Sequence, residues 1–285
     1  MEQSFRNPVA TVKTRRLGAA GTRNGIRMIL NIKVDLDYDV DGPASLLLHV
    51  EAAAGREQKL IRTSMDVAQP TWFERVPAEE AIGDRIWLEV ASRLVCDYSA
   101  TVEIDRPAVD LAALDQVPVH ELPGEVVKYL LGSRYIPTEK FQSVVTGDFG
   151  DLSGGARILA MRDWIEEHFS YVPGASDEST TAVDTFLERK GICRDYAHAM
   201  IALARASQIP ARIASAYAPD VDPPDFHAVA EVWLGGVWHL VDATGMARPD
   251  EMAVIGVGRD AADISFMTVF GAARMNSQSV SVTRG

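Results

Sequence analysis

The sequence predicts an α+β protein: an N-terminal β-sandwich followed by a domain of helices packed on an antiparallel sheet. Three features of the chain carry that reading. A run of strict alternation opens at Met28, a proline-punctuated stretch interrupts the strands at 106–124, and beyond it the spacing turns helical before three strands return.

In "MILNIKVDLDYDVDG", Leu30, Ile32, Val34, Leu36, Tyr38 and Val40 alternate with Asn31, Lys33, Asp35, Asp37, Asp39 and Asp41. A period of two is the mark of a strand with one apolar and one wet face. Asp37, Asp39, Asp41 and Gly42 also match the opening of a calcium-binding loop, but Leu48 stands where that loop requires a glutamate. The stretch therefore reads as a strand, not as a metal site.

More strand-like runs follow in "ASLLLHVEA", "KLIRTSMDV", "RIWLEVAS" and "LVCDYSATVEI". In the last, Leu94, Cys96, Tyr98, Ala100, Val102 and Ile104 share a face, which makes Cys96 a core residue. Strands separated by turn-rich segments predict a sandwich over 28–105. Pro107, Pro118 and Pro123 then mark 106–124 as a linker, leaving 125–285 as the second domain.

That domain begins with helical runs, "EVVKYLLGS", "GARILAMRDWIEEHFS" and "ESTTAVDTFLERKG". After the segment around Cys193 come three strands, "ARIASAYAP", "HAVAEVWL" and "VWHLVDAT". The C-terminal stretch beyond them reads as mixed helix and loop.

Composition narrows the function classes. The chain has 285 residues, 47% of them hydrophobic and 24% charged, as expected of a globular protein of about two domains. No stretch approaches the roughly 20 apolar residues of a membrane span. The net charge of -12 argues against nucleic acid as a partner. Two cysteines, neither in a CxxC pair, make no disulfide framework and point to a reduced, cytoplasmic setting. Residues 1–27 carry Arg6, Lys13, Arg15, Arg16, Arg23 and Arg27 against the single acid Glu2, without the apolar core of a secretory signal. They are expected to be a disordered basic extension, or to lie upstream of a true start at Met28.

Cys193 lies in "GICRDYAHAM", after a glycine and at the mouth of an alanine-rich helix. There, unpaired backbone N–H groups and the positive end of the helix dipole favour the thiolate form. A nucleophilic thiol needs a base, and six histidines compete. At roughly 100° per residue, His198 faces about 140° away from Cys193 on the same helix. His49 falls on a sandwich strand, His120 in the linker, and His168 near a helix end, where it can serve the last carbonyls. Read as a two-residue turn, Gly235-Gly236 pairs Trp233 with Trp238 and Val229 with Asp242. His227 and Asp242 then become diagonal neighbours on one face, within hydrogen-bonding reach, while His239 points to the other.

Cys, His and Asp together suit thiol catalysis: the imidazole takes and returns the proton, and the carboxylate fixes its tautomer. Three scattered residues without paired cysteines or a paired-histidine helix make a poor zinc site, so no metal is expected.

"TTAVDTFLERKGICRDYAHAMIALARASQIPARIASAYAP", followed by "FHAVAEVWLGGVWHLVDATG", resembles the catalytic core of the transglutaminase-like superfamily, closest to the bacterial branch with an N-terminal β-sandwich. The resemblance spans roughly Met28 to Gly245. It implies a papain-like core, with Cys193 as nucleophile, His227 as base and Asp242 as orienter. It also implies an oxyanion donor besides the Cys193 backbone N–H; where animal members have a tryptophan, this chain has Tyr171. The tryptophan usual after the catalytic histidine is replaced by Ala228 or Val229, and nothing resembles the calcium sites of animal members. The implied activity is hydrolysis of an amide in a peptide, protein or other amide-bearing substrate through a thioester, without a cofactor. Transfer of a glutamine acyl group to an amine is the alternative within the family; a non-catalytic protein-binding module is the alternative outside it.

Overall fold

The structure, a computed structural model, describes residues 27–285 apart from Arg56, so the expected basic extension lies outside the described residues except for Arg27. Six strands come first: β1 (Met28–Val40), β2 (Ala44–Leu48), β3 (Gln58–Val67), β4 (Trp72–Pro77), β5 (Asp84–Val90) and β6 (Arg93–Ile104). Short 3-10 turns and α1 (Gly124–Val127) lead to α2 (Gln142–Asp148) and α3 (Gly154–His168). Next are β7 (Ser170–Tyr171), α4 (Ala182–Glu188), β8 (Lys190–Gly191) and α5 (Cys193–Ala206). Then come β9 (Ala211–Tyr217), β10 (His227–Leu234), β11 (Val237–Val241) and β12 (Ala253–Gly258). The chain closes with α6 (Ala261–Ile264), β13 (Met267–Phe270) and β14 (Ala273–Arg284).

The sandwich has two four-stranded antiparallel sheets, ordered β14-β1-β6-β3 and β13-β2-β5-β4. The alternation read from β1 is its burial pattern, since Leu30, Ile32, Val34, Leu36, Tyr38 and Val40 are all buried. Cys96 and Tyr98 face the same core from β6.

The C-terminal stretch departs from its expectation. It forms strands, and residues 267–284 belong to the sandwich rather than to a second domain running 125–285. β14 pairs along β1 from Leu30↔Arg284 to Val40↔Ala273, and β13 pairs with β2. Its sequence hides this because β14 is an edge strand whose one buried residue is Val280. Backbone hydrogen bonds to β1, rather than an alternating apolar face, hold it. Two of the aspartates that resembled a calcium loop are held by the strands on either side, β6 and β14. Asp37 accepts a two-pronged bond from Arg93, and Asp39 is bound by Arg274 and Asn276.

The third sheet, ordered β11-β10-β9-β12, is antiparallel and carries α5 against β10 and β9. Alanine, leucine and methionine favour helix over 193–206, and Tyr196, Ala197 and Ala199 through Ala204 are all buried. Gln208, at φ 62°, turns the chain out of the helix before Pro210. Truncating a buried residue such as Leu203 to alanine would cost about 2–5 kcal/mol. Helices on an antiparallel sheet make this half the papain-like α+β core that was expected.

The two halves are bolted together. Tyr217 on β9 donates its hydroxyl to the Val50 carbonyl at 2.6 Å. The Gln58 side chain donates to the Val254 carbonyl at 2.8 Å and accepts the Val254 N–H at 2.7 Å.

Candidate active site

Cys193 is the first residue of α5, and Gly191 allows the close approach that seats it there. A side chain at Gly191 would meet the Asp195 Cβ at 2.6 Å. Asp195 is fully buried. It accepts the Ile192 N–H at 2.8 Å and the Ser176 hydroxyl at 2.5 Å, and it pairs with Arg194 at 3.0 Å. The carboxylate ties the first turn of the helix to the loop that follows β7. Sequence reasoning missed this group, although an acid in the first turn of a predicted helix is a capping signal.

His227 starts β10, and its position follows from the hairpin. Gly235 and Gly236 adopt φ 58° and 86°, as a tight two-residue turn requires. Trp233 faces Trp238, Glu231 faces Leu240 and Ala230 faces Val241. The register read from the sequence is the one observed. His227 Nε2 lies 2.9 Å from Asp242 Oδ2, and because a carboxylate only accepts, this nitrogen carries the proton. The other ring nitrogen, Nδ1, is buried without a hydrogen-bond partner, leaving it to interact with the Cys193 side chain. The Cys193 Sγ is 3.9 Å from the carbonyl oxygen of Phe226, next to the histidine.

Asp242 is itself fixed. Oδ1 accepts the Thr244 N–H at 2.9 Å and the Thr244 hydroxyl at 2.7 Å, and Oδ2 also accepts the Ala247 N–H at 2.9 Å. Burial alone would disfavour both charges. The Asp242 hydrogen bond and the adjacent Cys193 outweigh it for His227, which is raised from 6.5 to about 10. Burial likewise works against the Asp242 charge, but bonds from His227 and Thr244 hold its pKa below the usual carboxylate value.

Tyr171 also reaches Cys193. The parallel bridge β7–β8 sets Tyr171 opposite Gly191, and its hydroxyl lies beside both the backbone N–H and the side chain of Cys193. Burial, followed by the neighbouring Cys193, raises its pKa.

The other histidines fall elsewhere. His198 is buried, stacks on Tyr135 and accepts the Ala261 N–H at 3.1 Å. Burial lowers its pKa to about 4. It serves a distant backbone group. His168 meets the Trp164 carbonyl at 2.8 Å and His239 the Leu234 carbonyl at 3.2 Å. His49 lies just past the end of β2, buried and unpartnered. Among the described residues no three His, Cys, Asp or Glu side chains gather as a metal site would need.

A free thiol, an imidazole and a carboxylate come together at a helix N-terminus on a papain-like core, an arrangement chemically suited to a thiol nucleophile. Comparison with known proteins places it more narrowly. The transglutaminase-like superfamily pattern matches residues 142–243. A crystal structure from Cytophaga hutchinsonii, of a protein to which a cysteine-protease function has been attributed, is 33% identical. It aligns over 91% of each chain at a TM-score of 0.86. The chain belongs to the transglutaminase-like superfamily. It is also 27% identical over 116 residues to the uncharacterised Mycobacterium leprae protein ML0607, and 32% identical over 123 residues to Rv2569c of Mycobacterium tuberculosis. These matches span 42% and 38% of the mycobacterial proteins, less than half the length of either.

Proposed function

We propose that the protein is a cysteine-dependent amide hydrolase, a peptidase or amidase that works through a thioester acyl-enzyme. The observation that carries this reading is the chain of contacts from Asp242 through His227 to Cys193. His227, whose raised pKa favours the imidazolium, holds the thiol's proton on Nδ1 while Sγ attacks the carbonyl carbon of the amide. The developing oxyanion meets the Cys193 backbone N–H and the Tyr171 hydroxyl as donors. The amine leaves with the proton from the imidazolium, and a thioester remains. Water then gives a proton to His227 and attacks the thioester; the acid departs and Sγ recovers the proton. Asp242 holds the tautomer throughout. The chemistry calls for no cofactor, and its need for a free thiol suits the reducing cytoplasm. Among the described residues, no helix is long and apolar enough to cross a membrane.

Intact-mass analysis with glutamine, peptide and isopeptide donors, with and without a primary amine, tests this. The expected result is an acyl adduct on Cys193 that decays to free acid. Amine incorporation in preference to hydrolysis would reassign the protein as a true transglutaminase. The absence of any adduct, with unchanged activity in Cys193→Ala, would sink the catalytic reading and favour a binding module.

A further inference from the structure

Between β9 and the catalytic histidine the chain runs through a loop, 218–226, that carries Asp220, Asp222 and Asp225. Its last carbonyl, on Phe226, is the one facing Cys193 Sγ. Asp225 is exposed, and its Oδ1 accepts two neutral donors, the Phe226 N–H at 2.8 Å and Gln278 Nε2 at 2.9 Å. Gln278 lies on β14 and in turn accepts the Tyr38 hydroxyl of β1 at 2.6 Å. Two sandwich strands therefore orient a carboxylate two residues before the catalytic histidine.

That charge is not cancelled at the rim. Arg194 is taken up by the buried Asp195, and Arg284 by Asp220 and Glu251. Among the described residues no basic side chain forms an ion pair with Asp225 or Asp222. The Asp225 charge is felt at the Tyr171 hydroxyl, beside Cys193. Asp225 also lines a groove of about 290 Å³ between the loop and β14, with Val221, Pro224, Val280 and Val282.

We propose that Asp225, held by Gln278 and Tyr38 of the sandwich, is a specificity residue that draws an alkyl cation to the mouth of the Cys193 site. The cation is a lysine or arginine side chain of the acyl donor, or the ammonium of an acceptor amine. This rests on the reading of Cys193 as the nucleophile. The apolar walls of the groove suit the methylene stem of such a group, and the carboxylate suits its head. The sandwich then shapes substrate choice as well as lending support.

The test uses two methanethiosulfonates that differ in charge, ethyltrimethylammonium and ethylsulfonate, scored by intact mass at Cys193 and normalised to a small free thiol. A focused negative field enriches the cationic reagent by about tenfold over the anionic one. Asp225→Asn and Gln278→Leu should each reduce that preference several-fold, whereas Asp66→Asn, on the far-edge strand β3, should not. Raising salt should erase it. An unchanged preference in folded Asp225→Asn, or faster reaction of the anionic reagent, would overturn the proposal while leaving the nucleophile intact. Inertness of Cys193 to both reagents would overturn the nucleophile reading and this inference with it. Peptides with lysine, glutamine or glutamate beside the scissile amide, assayed with and without a charged amine acceptor, then show which source supplies the cation. Indifference to charge in both arms would overturn the proposal as well.

Discussion

Asp242→Asn should leave a folded protein that has lost most of its turnover, and the surroundings of the carboxylate say why. Asp242 accepts bonds from His227 Nε2, Ala247 N–H, Thr244 N–H and the Thr244 hydroxyl. An asparagine must turn its NH2 toward one pair of these donors. Turned toward Thr244, it faces an N–H and a hydroxyl oxygen that already accepts the Met246 N–H at 3.2 Å. Turned toward His227, it leaves only the Ala247 N–H unpaired, at a cost of about 1–3 kcal/mol. The second orientation wins, and the amide then donates to Nε2. The ring proton moves to Nδ1, the nitrogen meant to accept from Cys193, so kcat should fall by about 10⁴-fold. Because the two residues act as a unit, His227→Ala with Asp242→Asn should be little worse than His227→Ala alone. The folded pKa of His227, about 10, lies above its ordinary 6.5. Its contribution to stability is complete below pH 6.5 and is lost as pH rises through about 10. The variant should flatten that alkaline loss. Turnover, thermal unfolding against pH and NMR titration of the His227 ring are the assays. A folded variant with wild-type kcat, or a His227 that still titrates near 10, would refute the assignment.

Limiting iodoacetamide at neutral pH should label Cys193 before Cys96, because burial pushes the Cys96 thiol up to about 12; peptide mapping reads the order. His239→Ala, on the other face of the hairpin, should retain turnover within a few-fold in a steady-state assay, and its failure in a folded protein would put the base in the wrong place. Tyr171→Phe should lower kcat by about 10–10²-fold with little change in KM if the hydroxyl serves the oxyanion; an unchanged kcat would make Tyr171 a packing residue. Activity should survive EDTA, and loss on chelation restored by one added metal would overturn the cofactor-free chemistry.

The sequence by itself determined whatever is carried by neighbours along the chain. The β1 alternation encodes its two faces, because successive side chains of a strand must point opposite ways. Gly235 and Gly236 encode the hairpin register, since a two-residue turn leaves one pairing and so one relation between His227 and Asp242. The helix mouth at Cys193 is equally local. Tertiary structure alone decided contacts between distant segments with no periodic mark. The strand 273–284 is polar, and its place beside β1 is fixed by backbone pairing across the length of the chain. Asp195 lacks its Ser176 partner until the loop after β7 folds onto it. Asp225 is one more loop aspartate until Gln278 and Tyr38, from opposite ends of the chain, orient it two residues before His227. Local geometry can be written in a few residues, whereas charge and hydrogen bonding at a site depend on what long-range packing brings within a few ångströms.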